Sequence, residues 1–229
     1  MGTIELKGNP PIDVSLRRSA RAKRMSLRIS GLDGKVTLTL PRFVAEAEGR
    51  AFLRDKESWL RGHLEGQAAP VPVGFGSELP VEGDLLRIVP GAGRAVKRVG
   101  DLLEVPGAEA QVARRVETWV KARARTRLGA AVDLYAARLG RTPSRITLRD
   151  TRSRWGSCAA TGALSFSWRL ILAPPEILDY VAAHEVAHLK EMNHSQRFWD
   201  VVTEIHGPWQ EARRWLRREG PGLHRFVFA

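Results

Sequence analysis

His184-Glu185-Val186-Ala187-His188 has a third histidine, His194, six residues after its second. Histidines four apart on a helix share one face, and two neutral imidazoles so placed can grip a single zinc ion. Glu185 stands beside the first of them, where a carboxylate can take a proton from water activated by the ion. His194 lies beyond the expected helix end. A turn at Met192-Asn193 would swing it back as third ligand, since Asn tolerates the left-handed backbone such turns often use. Three imidazoles with an open fourth position suit catalysis, whereas a structural zinc closes its shell, so the expected cofactor is about one Zn2+ per chain. Glu204, His206 and Glu211 lie downstream and compete with His194. Tyr180, one turn before His184 on the same face, is a candidate to contact substrate or stabilise an oxyanion, with packing as its other reading; His206 and His224 are further candidates.

These residues need a scaffold. The helix carrying the pair is expected to start after Pro174-Pro175 and to run to about residue 192, with Ile177, Tyr180, Val181 and Leu189 on its apolar side. Ser195 can cap a following helix that buries Phe198, Trp199, Val202 and Ile205. Upstream, residues 109–139 read as one long helix stopped at Gly140. Residues 145–148 alternate like a strand. Residues 153–158 and 163–172 flank Ala159-Ala160-Thr161-Gly162, a hairpin turn. The earlier part has another character. Residues 12–40 read as strands with a hairpin signal at Asp33-Gly34, and residues 44–64 as one amphipathic helix. Residues 66–75 read as a Pro/Gly-rich connector before short strands near 85–89 and 102–105. The expected architecture is α+β: a β-rich N-terminal region over 1–108, open to substrate docking or gating, then a catalytic domain over 109–229.

With 229 residues the chain can bury a real core, and 43% hydrophobic residues suit a globular protein. No apolar run approaches the ~20 residues that span a bilayer, so no membrane role is expected. Cys158 is the lone cysteine, which rules out an intrachain disulfide. With no secretory signal visible, the expected location is cytoplasmic. The net charge is +12, and it is uneven. Arg17, Arg18, Arg21, Lys23, Arg24 and Arg28 have no acid among them, and residues 112–149 are also rich in Arg and Lys. Such segments can attract nucleic acid or simply be solvated faces. No zinc-finger spacing or aromatic-basic ribonucleoprotein sequence supports the nucleic-acid reading.

The run Arg152-Ser153-Arg154-Trp155-Gly156-Ser157-Cys158 is followed by Ser167-Trp168-Arg169-Leu170, by the histidine motif, by Asn193-His194-Ser195 and by Phe198-Trp199. This order resembles the YgjP-like zinc metallopeptidases, relatives of the SprT and WLM proteases among the zincins. The resemblance implies a zincin-like domain, a small sheet with the active-site helix behind it, acting on peptide or protein substrates. It implies that substrate aligns on an edge strand, with the hairpin holding Trp155, Gly156 and Ser157 as its source and Gly156 admitting the substrate backbone. The alternative is that Trp155 and Trp168 are core aromatics and that Arg152, Arg154 and Arg169 are strand-edge charges. A DNA-linked protease of SprT or WLM type, or a basic DNA-binding module with an inactive metal site, is the competing function.

Overall fold

The computed structural model describes residues 2–30, 34–65 and 69–228. The chain divides into two compact units, Met1–Ala69 and Pro70–Ala229.

The first unit holds β1 (Gly2–Leu6), β2 (Ile12–Ser19), β3 (Ser26–Ile29), β4 (Val36–Pro41), α1 (Glu46–Asp55) and α2 (Glu57–Glu65). The sheet order is β1-β2-β4-β3, with β2 and β4 parallel and the outer pairs antiparallel. Alternation in the strands buries Val14, Leu16, Val36, Leu38 and Leu40 against Leu53 and Leu60 of the helices. Gly49 lets α1 sit close, since an ideal Cβ there would lie 3.0 Å from Leu40 Cδ1. The expected pairing of residues 26–29 with 36–39 is present as β3 and β4. Asp33 of its hairpin signal lies outside the described residues. The single helix expected over 44–64 is two helices, because Lys56 leaves helical geometry (φ −97°, ψ 5°).

The second unit begins with β5 (Val71–Pro72), β6 (Glu78–Val81), β7 (Asp84–Pro90), β8 (Lys97–Val99) and β9 (Leu102–Val105). Then come α3 (Val112–Leu139), β10 (Arg145–Arg149), β11 (Gly156–Cys158), β12 (Ala163–Ser167) and a 3-10 segment at Trp168–Leu172. It ends with α4 (Pro175–Ala187), α5 (Gln196–His206), α6 (Gln210–Arg218), a 3-10 segment at Gly220–His224 and β13 (Phe226–Val227). Strands β6 to β9 form one sheet in the order β6-β7-β9-β8. The three-stranded sheet β10-β12-β11 has β10 parallel and β11 antiparallel to the central β12. The fold is α+β, as expected. Among the described residues, no helix is long and apolar enough to cross a membrane.

The unit boundary falls at 69/70, whereas the sequence reading placed a division at 108/109. Two physical links explain the difference. Leu79, Leu86, Ile88, Leu103 and Val105 share one core with α3, α4 and the three-stranded sheet. The connector residues Val71 and Pro72 pair in parallel with Phe226 and Val227; residues 66–68 of that connector lie outside the described residues. Glu82 adds a polar tie. It is held at φ 52° in the β6–β7 turn, and its carboxylate accepts hydrogen bonds from Arg123 and Arg127 of α3.

Two of the charges in the basic segment 112–149 are therefore internal ion-pair partners. Lys121 pairs with Glu117, and Arg138 donates to the carbonyl of Ile205. The long helix ends as expected, with Gly140 left-handed (φ 65°) and its N–H donating to the carbonyls of Ala136 and Ala137.

Candidate metal centre and active site

Helix α4 starts with Pro175 in its first turn and buries Ile177, Leu178, Val181, Ala182 and Val186, so its last turn is firmly seated. His184 and His188 face each other across that turn, ring centroids 5.0 Å apart. The helix ends at Ala187, about a turn before the expected residue 192. The cause is local. The N–H groups of Lys190 and Glu191 both donate to the carbonyl of Ala187, and the Nδ1–H of His188 donates to the carbonyl of Glu191 at 2.9 Å. That bond fixes the tautomer of His188 and leaves its Nε2 lone pair free.

The return of His194 also differs from expectation. Asn193 does not adopt a left-handed backbone; its Oδ1 accepts the N–H of Ser195 at 3.2 Å. Ser195 precedes α5 without capping it through its own side chain. His194 Nε2 comes to 3.0 Å from His184 Nε2. The ligand atoms of His184, His188 and His194 lie within 4.8 Å of one another. They form the group of potential metal ligands among the described residues; Glu204, His206 and Glu211 lie outside it. His184 Nε2 and His194 Nε2, 3.0 Å apart, converge on a point that one cation can occupy.

Phe198 is the support that sequence reasoning treated only as helix core. It is fully buried on α5. Its ring stacks on His188 at 4.4 Å and meets His184 and His194 edge-on at 4.8 and 4.7 Å. An aromatic one turn past the third histidine is the sequence signal that could have found it.

Burial first, then the neighbouring His188 and His194, pushes His184 down to about 3. Burial also lowers His188. The pair is thus neutral and ready to coordinate. Glu185 is 5% exposed. Burial pushes its carboxyl up to about 8, with Arg154 pulling the other way.

Gly156 sits directly on Glu185: an ideal Cβ there would lie 2.5 Å from Glu185 Cγ and Oε1. The glycine therefore makes room for the carboxylate, whereas the sequence reading assigned that room to the substrate. Ser157 points to the other face of the sheet, in register with Ser165. Trp155 is half-buried. Its ring packs 5.2 Å from that of His224 and leaves no room for a side chain at Gly220, where an ideal Cβ would lie 3.1 Å from Trp155 Cζ2. Tyr180 is buried, with ring centroids 5.8 Å from His184 and 6.0 Å from His206. Burial pushes its phenol up to about 12.

Arg169 has a larger role than a strand-edge charge. It makes a two-pronged pair with Asp150 at 2.7 and 3.1 Å and donates to the carbonyls of Leu223 and Phe226. Its guanidinium also lies over the Trp168 ring at 4.6 Å.

A helix bearing two converging imidazoles and a buried carboxylate, with a third imidazole from the next turn and a sheet edge alongside, defines a metallopeptidase. The family model for the YgjP-like metallopeptidase domain matches residues 23–219, and the chain belongs to that family. It is thus a hydrolase acting on peptides. Among solved structures the chain is similar to the metallopeptidase zymogen of Pyrococcus abyssi abylysin. The identity is 21%, over 44% of this chain and 98% of that one, with a TM-score of 0.37. Comparison with curated proteins gave no match.

Proposed function

We propose that one zinc ion is held by His184, His188 and His194 and that the protein hydrolyses peptide bonds with Glu185 as proton carrier. The convergence of three imidazole nitrogens within 4.8 Å carries this reading. The donor set fits zinc: three imidazole nitrogens, those of His184 and His188 held away from protonation by burial, with a fourth position left over. Bound there, zinc supplies Lewis-acid polarisation of water and of a peptide carbonyl.

The chain's own groups do the rest. Glu185 takes the proton from the attacking water onto its carboxylate and gives it to the leaving amine. Burial raises its affinity for a proton, which favours the first of these transfers, uptake from water. Strand β11 lies at the edge of its sheet and has no strand on its far side among the described residues, so a substrate backbone can add there. Trp155, Gly156 and Ser157 shape that edge, and Tyr180 packs behind His184. Free Cys158 suits a reducing, cytoplasmic setting.

The test is metal content beside turnover. Purified wild type should carry about one zinc per chain. His184→Ala and His194→Ala should lose it. Glu185→Gln should keep the metal and lose roughly 100- to 10,000-fold in rate. Zinc retained in His194→Ala, or full turnover by Glu185→Gln, would overturn the assignment.

A further inference from the structure

The outer face of the β10-β12-β11 sheet carries chemistry that the hydrolytic step does not use. Thr147, Ser165 and Ser157 stand in register across its three strands and present a row of hydroxyls. Arg145 and Arg149, at the two ends of β10, and Arg154, just before β11, flank that row. These six side chains line one concavity of about 450 Å³. Its wall contains no carboxylate and no aromatic ring among the described residues. Arg145 and Arg149 are exposed and have no salt-bridge partner among the described residues, unlike Arg123, Arg127 and Arg169. Asp150 is the nearby acid along the chain, and Arg169 holds it.

Guanidinium forks and hydroxyl donors together are a receptor for carboxylates. The place of the concavity says whose. Its rim is β11, the edge strand, where Gly156 and Cys158 face the active-site helix and Ser157 faces the concavity. A strand added to β11 points alternate side chains to the two sheet faces, so one set falls beside the hydroxyl row. We propose that this concavity binds acidic side chains of a polypeptide substrate lying along β11, selecting Asp and Glu at alternate positions near the scissile bond. The proposal rests on the peptidase reading for its polypeptide. A single-stranded nucleic acid fits less well, because no ring in the wall offers a base a stacking surface.

The experiment measures binding apart from cleavage. Zinc-loaded full-length Glu185→Gln is titrated, by fluorescence anisotropy, against a Glu-rich peptide, a neutral peptide of equal length and a single-stranded oligonucleotide of matched charge. The same titrations follow in an Arg145→Gln/Arg149→Gln background. An Arg94→Gln/Arg114→Gln background removes the same charge at a second basic concavity. The expected result is loss of roughly tenfold or more in acidic-peptide affinity for the first pair only, with neutral-peptide binding unchanged. Equal losses from both pairs would mean general electrostatics and overturn the proposal, as would unchanged affinity. Tighter oligonucleotide binding that depends on Arg145 and Arg149 would make this a nucleic-acid site and also overturn it. If zinc-loaded wild type cleaves no peptide while the Arg-dependent acidic binding persists, the peptidase reading fails, selection at a scissile bond is overturned with it, and the acidic-peptide site alone stands.

Discussion

Gly156 and Glu185 meet so closely that the strand backbone and the carboxylate form one contact. A side chain at 156 would place its Cβ 2.5 Å from Glu185 Cγ and Oε1 and 2.8 Å from Cδ. No real Cβ tolerates that separation from a heavy atom. Either β11 or Glu185 must move, and Glu185 is walled in by burial.

Gly156→Ala is therefore expected to cost at least about 100-fold in kcat, the usual effect of misplacing a reacting group by about 1 Å. The histidines do not touch this position, so zinc content should stay at the wild-type level. The overpacking should cost about 1–3 kcal/mol of stability. Metal analysis beside steady-state kinetics checks it. Unchanged kcat would mean the carboxylate is not where catalysis needs it.

The metal-free protein should show opposed pH limbs. Glu185 is raised to about 8 from 4.5, so between those values the native state holds a proton the unfolded chain has lost. That contribution is complete below about 4.5 and is lost as pH rises toward 8. His184 is lowered to about 3 from 6.5, so the unfolded chain binds the proton first. Its contribution is complete above 6.5 and is lost as pH falls toward 3. Glu185→Gln removes the first limb alone. Urea unfolding of chelated protein should show the variant gaining on wild type, on the order of a few kcal/mol, between pH 5 and pH 8. A pH-independent difference between the two would contradict a buried, protonated Glu185.

Phe198→Leu keeps an apolar side chain but removes the ring that touches all three imidazoles. Zinc affinity should fall by roughly 10- to 100-fold, as it does when groups orienting metal ligands are lost. Competition with a chelator of known affinity measures it. The fold should survive, since the substitution conserves most of the apolar volume.

The candidate metal ligands are legible because His184 and His188 obey helical spacing, which depends on neighbours alone. The helix end is not. It is decided by His188 Nδ1–H reaching the Glu191 carbonyl, a local choice of side-chain rotamer that no backbone propensity encodes. Gly156 read as a place of close approach, and it is one, but the sequence cannot say that Glu185 is the group approaching. The division at 69/70 is hidden from the sequence for a similar reason. Val71 pairs with Phe226 at the far end of the chain, and a two-residue strand leaves almost no periodic signal. Residues 85–89 and 102–105 read correctly as short strands, yet their core partners lie on α3.

Arg169 illustrates the same gap and carries the last expectation. Its side chain is 11% exposed, and it ties the residue before the β11 approach, Asp150, to the C-terminal turn that packs on Trp155. Removing it leaves buried carbonyls of Leu223 and Phe226 without this donor and frees Asp150. Arg169→Ala should destabilise the protein by about 1–3 kcal/mol, chiefly from carbonyls left without their donor. Arg169→Lys should recover little of that, because an ammonium has neither the two-pronged fork nor the flat face that lies on Trp168. The distinguishing readout is metal binding at low temperature, where folded Arg169→Lys should hold zinc as wild type does while its KM for peptide rises through a loosened β11. Loss of zinc with an unchanged melting point would show that Arg169 supports the histidines and not the sheet edge.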